Sequence, residues 1–220
     1  MASITNGDRA SVSLTYVQVS GQWQVQTVTD RVGATTTFAY NTTTRTTTVT
    51  NALGQASGYG NDAANRLVTA TNALGQTTRY AYDAQGNLST TTDALGRVTT
   101  QAYDSRGNLT LTRDAEGRTV TYTYDAHNRL VTETAYLVAD PDGDGTGEPG
   151  TPVTSRYAYD AEGHLRFTVS AEGRVTEYRY NTPGQRIAAI SYTAAAYNLT
   201  GLTPTTTLSE AQLQTWVGAQ

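Results

Sequence analysis

Strand-like runs of six or seven residues follow one another down this chain, separated by Asp-x-x-Gly or a close relative of it. Within the runs, larger apolar or aromatic side chains alternate with small or polar ones. A period of two predicts half-buried β-strands, and the punctuation predicts tight turns between them. The pattern itself recurs every 21 residues: one column holds Tyr40, Asn61, Tyr82, Tyr103 and Tyr124, and resumes at Tyr159 and Tyr180. A second column, offset by ten, holds Asp30, Asn51, Asn72, Asp93, Asp114 and Ser170. Fixed self-similarity of this kind marks a repeat architecture.

One unit, Tyr82 to Ala102, contains two Asp-x-x-Gly turns, at Asp83/Gly86 and Asp93/Gly96. An Asp at the first turn position bonds its side chain to the backbone two residues on. A Gly at the fourth accepts the positive φ that closes a type I turn with a bulge. The pair recurs at Asp104/Gly107, Asp114/Gly117 and Asp160/Gly163, with Asn128 serving as the glycine after Asp125. Two turns per unit predict an antiparallel meander with two strands per repeat. The spacing of 35 between Tyr124 and Tyr159 places an insertion at about residues 137–152, where a turn would otherwise stand.

Parity assigns the faces. Thr36-Phe38-Tyr40, Thr78-Tyr80-Tyr82, Thr99-Gln101-Tyr103, Val120-Tyr122-Tyr124 and Thr176-Tyr178-Tyr180 share one side of their strands and are expected to lie inside. The alternate positions, such as Thr119/Thr121/Thr123 and Val175/Glu177/Arg179, are expected to face water. Leu67, Leu88, Leu109, Leu130 and Leu165 occupy one fixed place on the return strands, so the inner face reads as a ladder of Tyr, Leu and Thr. Residues 19–192 hold about eight units, and a sheet of about sixteen strands tends to curl or close. After Tyr192 the repeat stops. Ser209 and Gln212 there form a capping box, with Leu208 and Leu213 as a hydrophobic staple, and Leu213, Trp216 and Val217 share one face of a short helix. The chain is expected to divide into the repeat strip at 1–192 and a linker with an amphipathic helix at 193–220. The helix is expected to cap an end of the aromatic face.

The unit Tyr-Asp-x-x-Gly-Asn/Arg-Leu, followed by Asp-x-x-Gly-Arg and Thr-x-x-x-Tyr, resembles the YD repeats of the RHS family; the copies starting at Tyr82, Tyr103, Tyr124 and Tyr159 match best. The resemblance covers roughly residues 30–192. It implies a β-strip that spirals into a hollow shell segment, as in bacterial polymorphic toxins, insecticidal toxin-complex subunits and the teneurins. In the toxins that shell encloses a C-terminal toxin domain. The self-cleaving module of the family carries an Asp-Pro-x-Gly-Leu type segment. The one Asp-Pro here, Asp140-Pro141, continues as Asp142-Gly143-Asp144 and does not fit, so no catalytic residue is carried over.

Composition narrows the partners. The formal net charge is −4, every basic residue is Arg, and no basic run exists, which argues against nucleic acid. With no cysteine there is no disulfide framework and no thiolate chemistry. No segment approaches the ~18 apolar residues of a membrane helix. Asp140, Asp142 and Asp144, with Gly145 after them, have the spacing that opens a calcium loop, but Thr151 stands where a bidentate acid is needed; the alternative is a solvated acidic loop. No other cofactor is expected. His127 and His164 read as exposed turn residues. The expectation is therefore a non-enzymatic wall segment of a large secreted or surface-delivered bacterial protein. Its partners would be the remaining parts of the same polypeptide, with self-association through open strand edges. The alternative is a carbohydrate- or cell-surface-binding adhesion module that uses the tyrosines.

Overall fold

The computed structural model describes residues 2–5, 11–140 and 150–220; for residues 2–5 and 11 only the backbone is described. Among them are seventeen strands and one helix, in two compact units, residues 1–98 and 99–220. The first unit runs through β1 (Ala2–Thr5), β2 (Ser11–Val19), β3 (Gln22–Thr29), β4 (Thr35–Asn41), β5 (Thr46–Thr50), β6 (Ala56–Asn61), β7 (Leu67–Thr71), β8 (Thr77–Tyr82) and β9 (Leu88–Thr92). Each strand pairs antiparallel with the next. The second unit is built likewise from β10 (Val98–Tyr103), β11 (Leu109–Arg113), β12 (Thr119–Tyr124), β13 (Leu130–Val138), β14 (Gly150–Tyr159), β15 (Leu165–Val169), β16 (Val175–Tyr180) and β17 (Arg186–Tyr192). It ends in α1 (Glu210–Gly218). The fold is the expected all-β meander of hairpins with a short C-terminal helix.

The turns form as their chemistry dictates. At Asp83 one carboxylate oxygen accepts the N–H of Gln85 at 2.9 Å and of Asn87 at 2.8 Å, while Gly86 takes φ 93° and donates to the Asp83 carbonyl. Asn128 replaces glycine at φ 61° after Asp125. The Tyr-Asp hairpins carry a second irregularity that the period did not reveal. Their register slips one pair into the ladder, so that Ala81 faces Thr90 while Tyr82 faces Leu88, leaving Ser89 as an extra residue. The same slip recurs at Asn61/Leu67, Tyr103/Leu109, Tyr124/Leu130, Tyr159/Leu165 and Tyr180/Arg186. The fixed leucine is therefore the residue opposite the column position at a bulge.

The assignment of faces holds in the first unit: Thr36, Phe38 and Tyr40 are half-buried while Thr37 and Ala39 are exposed. No hydrophobic side chain among its described residues is fully buried. In the second unit the expectation for the other face holds at Arg179, which is exposed, but is overturned elsewhere. Val175 and Glu177, expected in water, are 1% and 3% exposed, and Thr119 is 3% exposed. Phe167 pairs with Glu177 and Val169 with Val175, so these residues share the face opposite Tyr178. At Val175 and Glu177 the reason is the tail. Leu208 and Leu213 join Ala158, Phe167, Val169 and Val175 in one buried cluster, with Tyr192, Tyr197, Leu199, Leu202, Trp216 and Val217 packed around it. The helix is capped as expected, with the Ser209 side chain accepting from the Gln212 N–H and the Gln212 side chain from the Ser209 N–H. However, it lies on the face away from the tyrosine column and does not cap an end of the aromatic face. Covering that face stabilises the unit by roughly 1.5–3 kcal/mol for each large apolar side chain removed from water.

Candidate functional site

Bulging a strand interrupts its ladder and leaves a backbone carbonyl in need of a donor. The tyrosine column supplies it. Tyr40 donates to the Val25 carbonyl at 2.7 Å, Tyr82 to Leu67 at 2.8 Å, and Tyr124, Tyr159 and Tyr180 to Leu109, Leu130 and Leu165 at 2.9 Å. Every one of these acceptors stands at a bulge, Val25 included, where Tyr16 faces Val25 after Thr15 faces Thr27. In each case the phenol reaches to the strand before its own and closes the open end of that hairpin, opposite its turn. Within each unit these tyrosines form a seam of clamps, Tyr40 and Tyr82 in the first and Tyr124, Tyr159 and Tyr180 in the second. Burial raises the Tyr124 and Tyr159 phenols, so they remain protonated donors through the neutral range.

The turn acids hold the ring faces. Arg66 bonds Asp62 at 2.8 Å and lies 4.6 Å from the Tyr82 ring centre. Arg129 bonds Asp125 at 2.7 Å and lies 4.5 Å from the Tyr159 ring. His164 repeats the arrangement: its Nδ1 lies 3.1 Å from Asp160 and its ring stacks on Tyr180 at 4.6 Å. His164 is therefore half-buried in the seam and not the exposed turn residue expected, whereas His127 is exposed. The Asp62 carboxyl is held below its ordinary range, first by the backbone N–H of Arg66 and also by its guanidinium.

In the second unit two buried charges tie the tail to the sheet. Arg156, 4% exposed, donates to the carbonyls of Thr206 at 3.0 Å and Thr203 at 2.9 Å in the tail, and to Thr154 at 3.3 Å. Glu177 accepts from Arg166 at 2.7 Å, from Arg179 at 3.0 Å and from the Tyr192 phenol at 2.7 Å. Burial alone would raise the Glu177 carboxyl, but the bonds from Arg179, Tyr192 and Arg166 outweigh it and hold it at about 2. Arg166 also approaches Glu210 of α1 at 3.6 Å.

The acidic insert is only partly in view. Asp140 is buried, its carboxylate 3.4 Å from Arg113 and its N–H donating to the Gly117 carbonyl at 2.9 Å. Asp142 and Asp144 lie outside the described residues. A grouping the sequence reading missed is Asp160, Glu162 and His164, whose ligand atoms all lie within 4.8 Å of one another. Alternate positions on one Asx turn were the available signal. Both Asp160 oxygens there already engage His164, one its backbone N–H at 2.7 Å and the other its ring.

The comparisons fit this geometry. The RHS Repeat family profile matches residues 62–101, 82–119 and 103–146. Together the three matches span residues 62–146, the part of the chain that is similar to RHS repeats. The bulged Tyr-Asp hairpins with their clamps at Tyr82 and Tyr124 fall inside that span. A similar fold is found in solved toxin structures. The Tc holotoxin pore of Photorhabdus luminescens, carrying a TccC3 variant, is 18% identical with a TM-score of 0.59, over 84% of this chain and 10% of that one. TcdB2-TccC3 without its hypervariable C-terminal region is 18% identical with a TM-score of 0.56, over 82% and 10%. TcdB2-TccC3-Cdc42 is 17% identical with a TM-score of 0.55, again over 82% and 10%. At such identity the likeness is one of fold. The chain spans about a tenth of the length of these relatives. No curated protein matches it in sequence. Among the described residues no helix is long and apolar enough to cross a membrane.

Proposed function

We propose that the chain is a non-enzymatic wall segment of a large secreted or surface-delivered bacterial RHS protein, whose sheet encloses or displays another domain of the same polypeptide. The observation that carries this reading is that the repeated chemistry serves the sheet itself. Phenols satisfy bulge carbonyls, turn acids hold the cations that cover the rings, and cross-strand threonines such as Thr71 and Thr77 bond each other at 2.8 Å. A carbohydrate-binding module would need the tyrosine phenols and ring faces, and both are engaged at Tyr82, Tyr159 and Tyr180. The first unit, in which no hydrophobic side chain among the described residues is fully buried, has the character of a partition more than of a self-sufficient core. Limited proteolysis of the full-length polypeptide tests the proposal. A domain released from protection when turn glycines of the repeats are replaced is the expected result. Equal cleavage of every other domain with intact and disrupted repeats would count against enclosure.

A further inference from the structure

The third position of the Asx turns carries Val32, Leu53, Leu74 and Leu95, which are 87%, 84%, 83% and 79% exposed. All four belong to the first unit. Equivalent turns recur every second strand, roughly 9.5 Å apart, so these side chains make a row along one edge of the meander. Single exposed leucines are ordinary, whereas a contiguous apolar row marks a contact surface. The second unit shows what sits on such turns. At Gly117 the N–H of Asp140 donates to the turn carbonyl at 2.9 Å, and at Gly173 the N–H of Tyr197 does so at 2.8 Å. Both glycines are buried, and the methyl of Ala196 lies against Gly173. Asp140 follows β13 and Tyr197 follows β17, and each sits on the tip of a preceding turn. The third position at these covered turns is Glu116 or Glu172 and not leucine. At Gly54, Gly75 and Gly96 no described residue beyond the chain neighbours comes within 4 Å of where a Cβ would stand.

We propose that this leucine-tipped turn edge of the first unit docks an extended, uncharged peptide segment of another polypeptide, laid across the turns as Ala196 and Tyr197 lie across Gly173. The turn carbonyls accept its backbone N–H groups, and its small apolar side chains pack between the leucines. The edge is neutral at its centre, because Asn51 pairs with Gln55 and Asn72 with Gln76, each at 2.8 Å, where other turns place Asp with Arg. A charged segment would be desolvated there without a partner, so an uncharged one is selected. A groove of about 410 Å³ opens beside the row, lined by Tyr59, Ala70, Gln76 and Leu95, with Asp93 and Arg97 at its side already paired to each other at 2.6 Å, and gives such a segment side-chain room.

A fluorescent peptide of residues 193–202, Thr-Ala-Ala-Ala-Tyr-Asn-Leu-Thr-Gly-Leu, titrated with the full chain and followed by anisotropy, tests this. Saturable binding is expected, weakened at least tenfold in the double variant Leu53→Asp, Leu74→Asp and unchanged in Glu116→Gln. The gentler pair Leu53→Asn, Leu74→Asn, with circular dichroism of each variant, separates lost binding from lost fold. Absence of saturable binding, or equal binding to the wild type and a folded double variant, would overturn the proposal. So would self-association of the full chain that the leucine substitutions abolish, since the occupant would then be a second copy.

Discussion

Replacing one clamp tyrosine by phenylalanine removes a single oxygen from the seam, and the structure supplies its own control. Tyr180 donates to the Leu165 carbonyl at 2.9 Å. Tyr178 lies two residues earlier on the same face, under Arg186 at 5.4 Å, and its phenol makes no hydrogen bond among the described residues. A net hydrogen bond contributes about 0.5–1.5 kcal/mol, and a part-buried carbonyl left without its donor moves the loss toward the upper end. Tyr180→Phe should therefore destabilise by about 1 kcal/mol, which is a fall of about 2–4 °C in Tm for a chain of this size. Tyr178→Phe should stay within ~0.5 kcal/mol of wild type. Tyr82 and Tyr180 share no partner, so their losses should add to about 2 kcal/mol in the double variant. Urea unfolding followed by circular dichroism, with the slope unchanged between variants, gives the comparison directly. Equal loss in Tyr178→Phe and Tyr180→Phe would mean that ring packing alone matters, and the clamp would be refuted.

Glu177 sets an acid limit. Its carboxyl is lowered from an ordinary 4.5 to about 2, so its stabilisation is complete above pH 4.5 and disappears as pH falls through 2. The effect is on the order of 3 kcal/mol, and an acid titration of Glu177→Gln that kept the wild-type midpoint would contradict it. Gly75 and Gly173 share φ values of 78° and 79°, yet an added Cβ meets nothing at Gly75 and strikes the Tyr197 carbonyl at Gly173. Gly173→Ala should thus cost more than Gly75→Ala and loosen the tail, read as faster amide exchange at residues 196–202; equal costs would show that only φ matters. Arg156→Met keeps the bulk but drops the bonds to Thr203 and Thr206, and should expose residues 200–208 to protease while the repeats of the first unit stay resistant. An unchanged digestion pattern would remove Arg156 as the anchor of the tail.

Turn chemistry was legible in the sequence because it is local. Asp83 and Gly86 need only each other to close a turn, and the same holds wherever the pair recurs. The tyrosine clamp was half legible: the fixed leucine could be counted, but the bulge that offers its carbonyl is a register slip between two strands, and no single strand records it. The covered face was hidden because it depends on residues 193–220, which lie outside the period. One signal was present. Phe167 and Val169 stand where earlier units have Thr69 and Thr71, or Thr90 and Thr92. That exchange of hydroxyl for hydrocarbon marks the strand on which the tail settles. His164 was misread for a related reason. Its place after the turn Gly is the one that Arg66 and Arg129 use to cover a ring, and comparing columns across units would have placed it on Tyr180.

Electron cryo-microscopy of the full-length polypeptide tests the wall reading most directly. The meander of residues 11–192 should form part of a continuous β-strip with one face turned toward another domain of the same polypeptide. The tyrosine phenols should stay on the bulge carbonyls, and no ligand should lie against them. A strip with solvent on both faces, or a small molecule or glycan seated on Tyr82, Tyr159 and Tyr180 in place of the clamps, would contradict it.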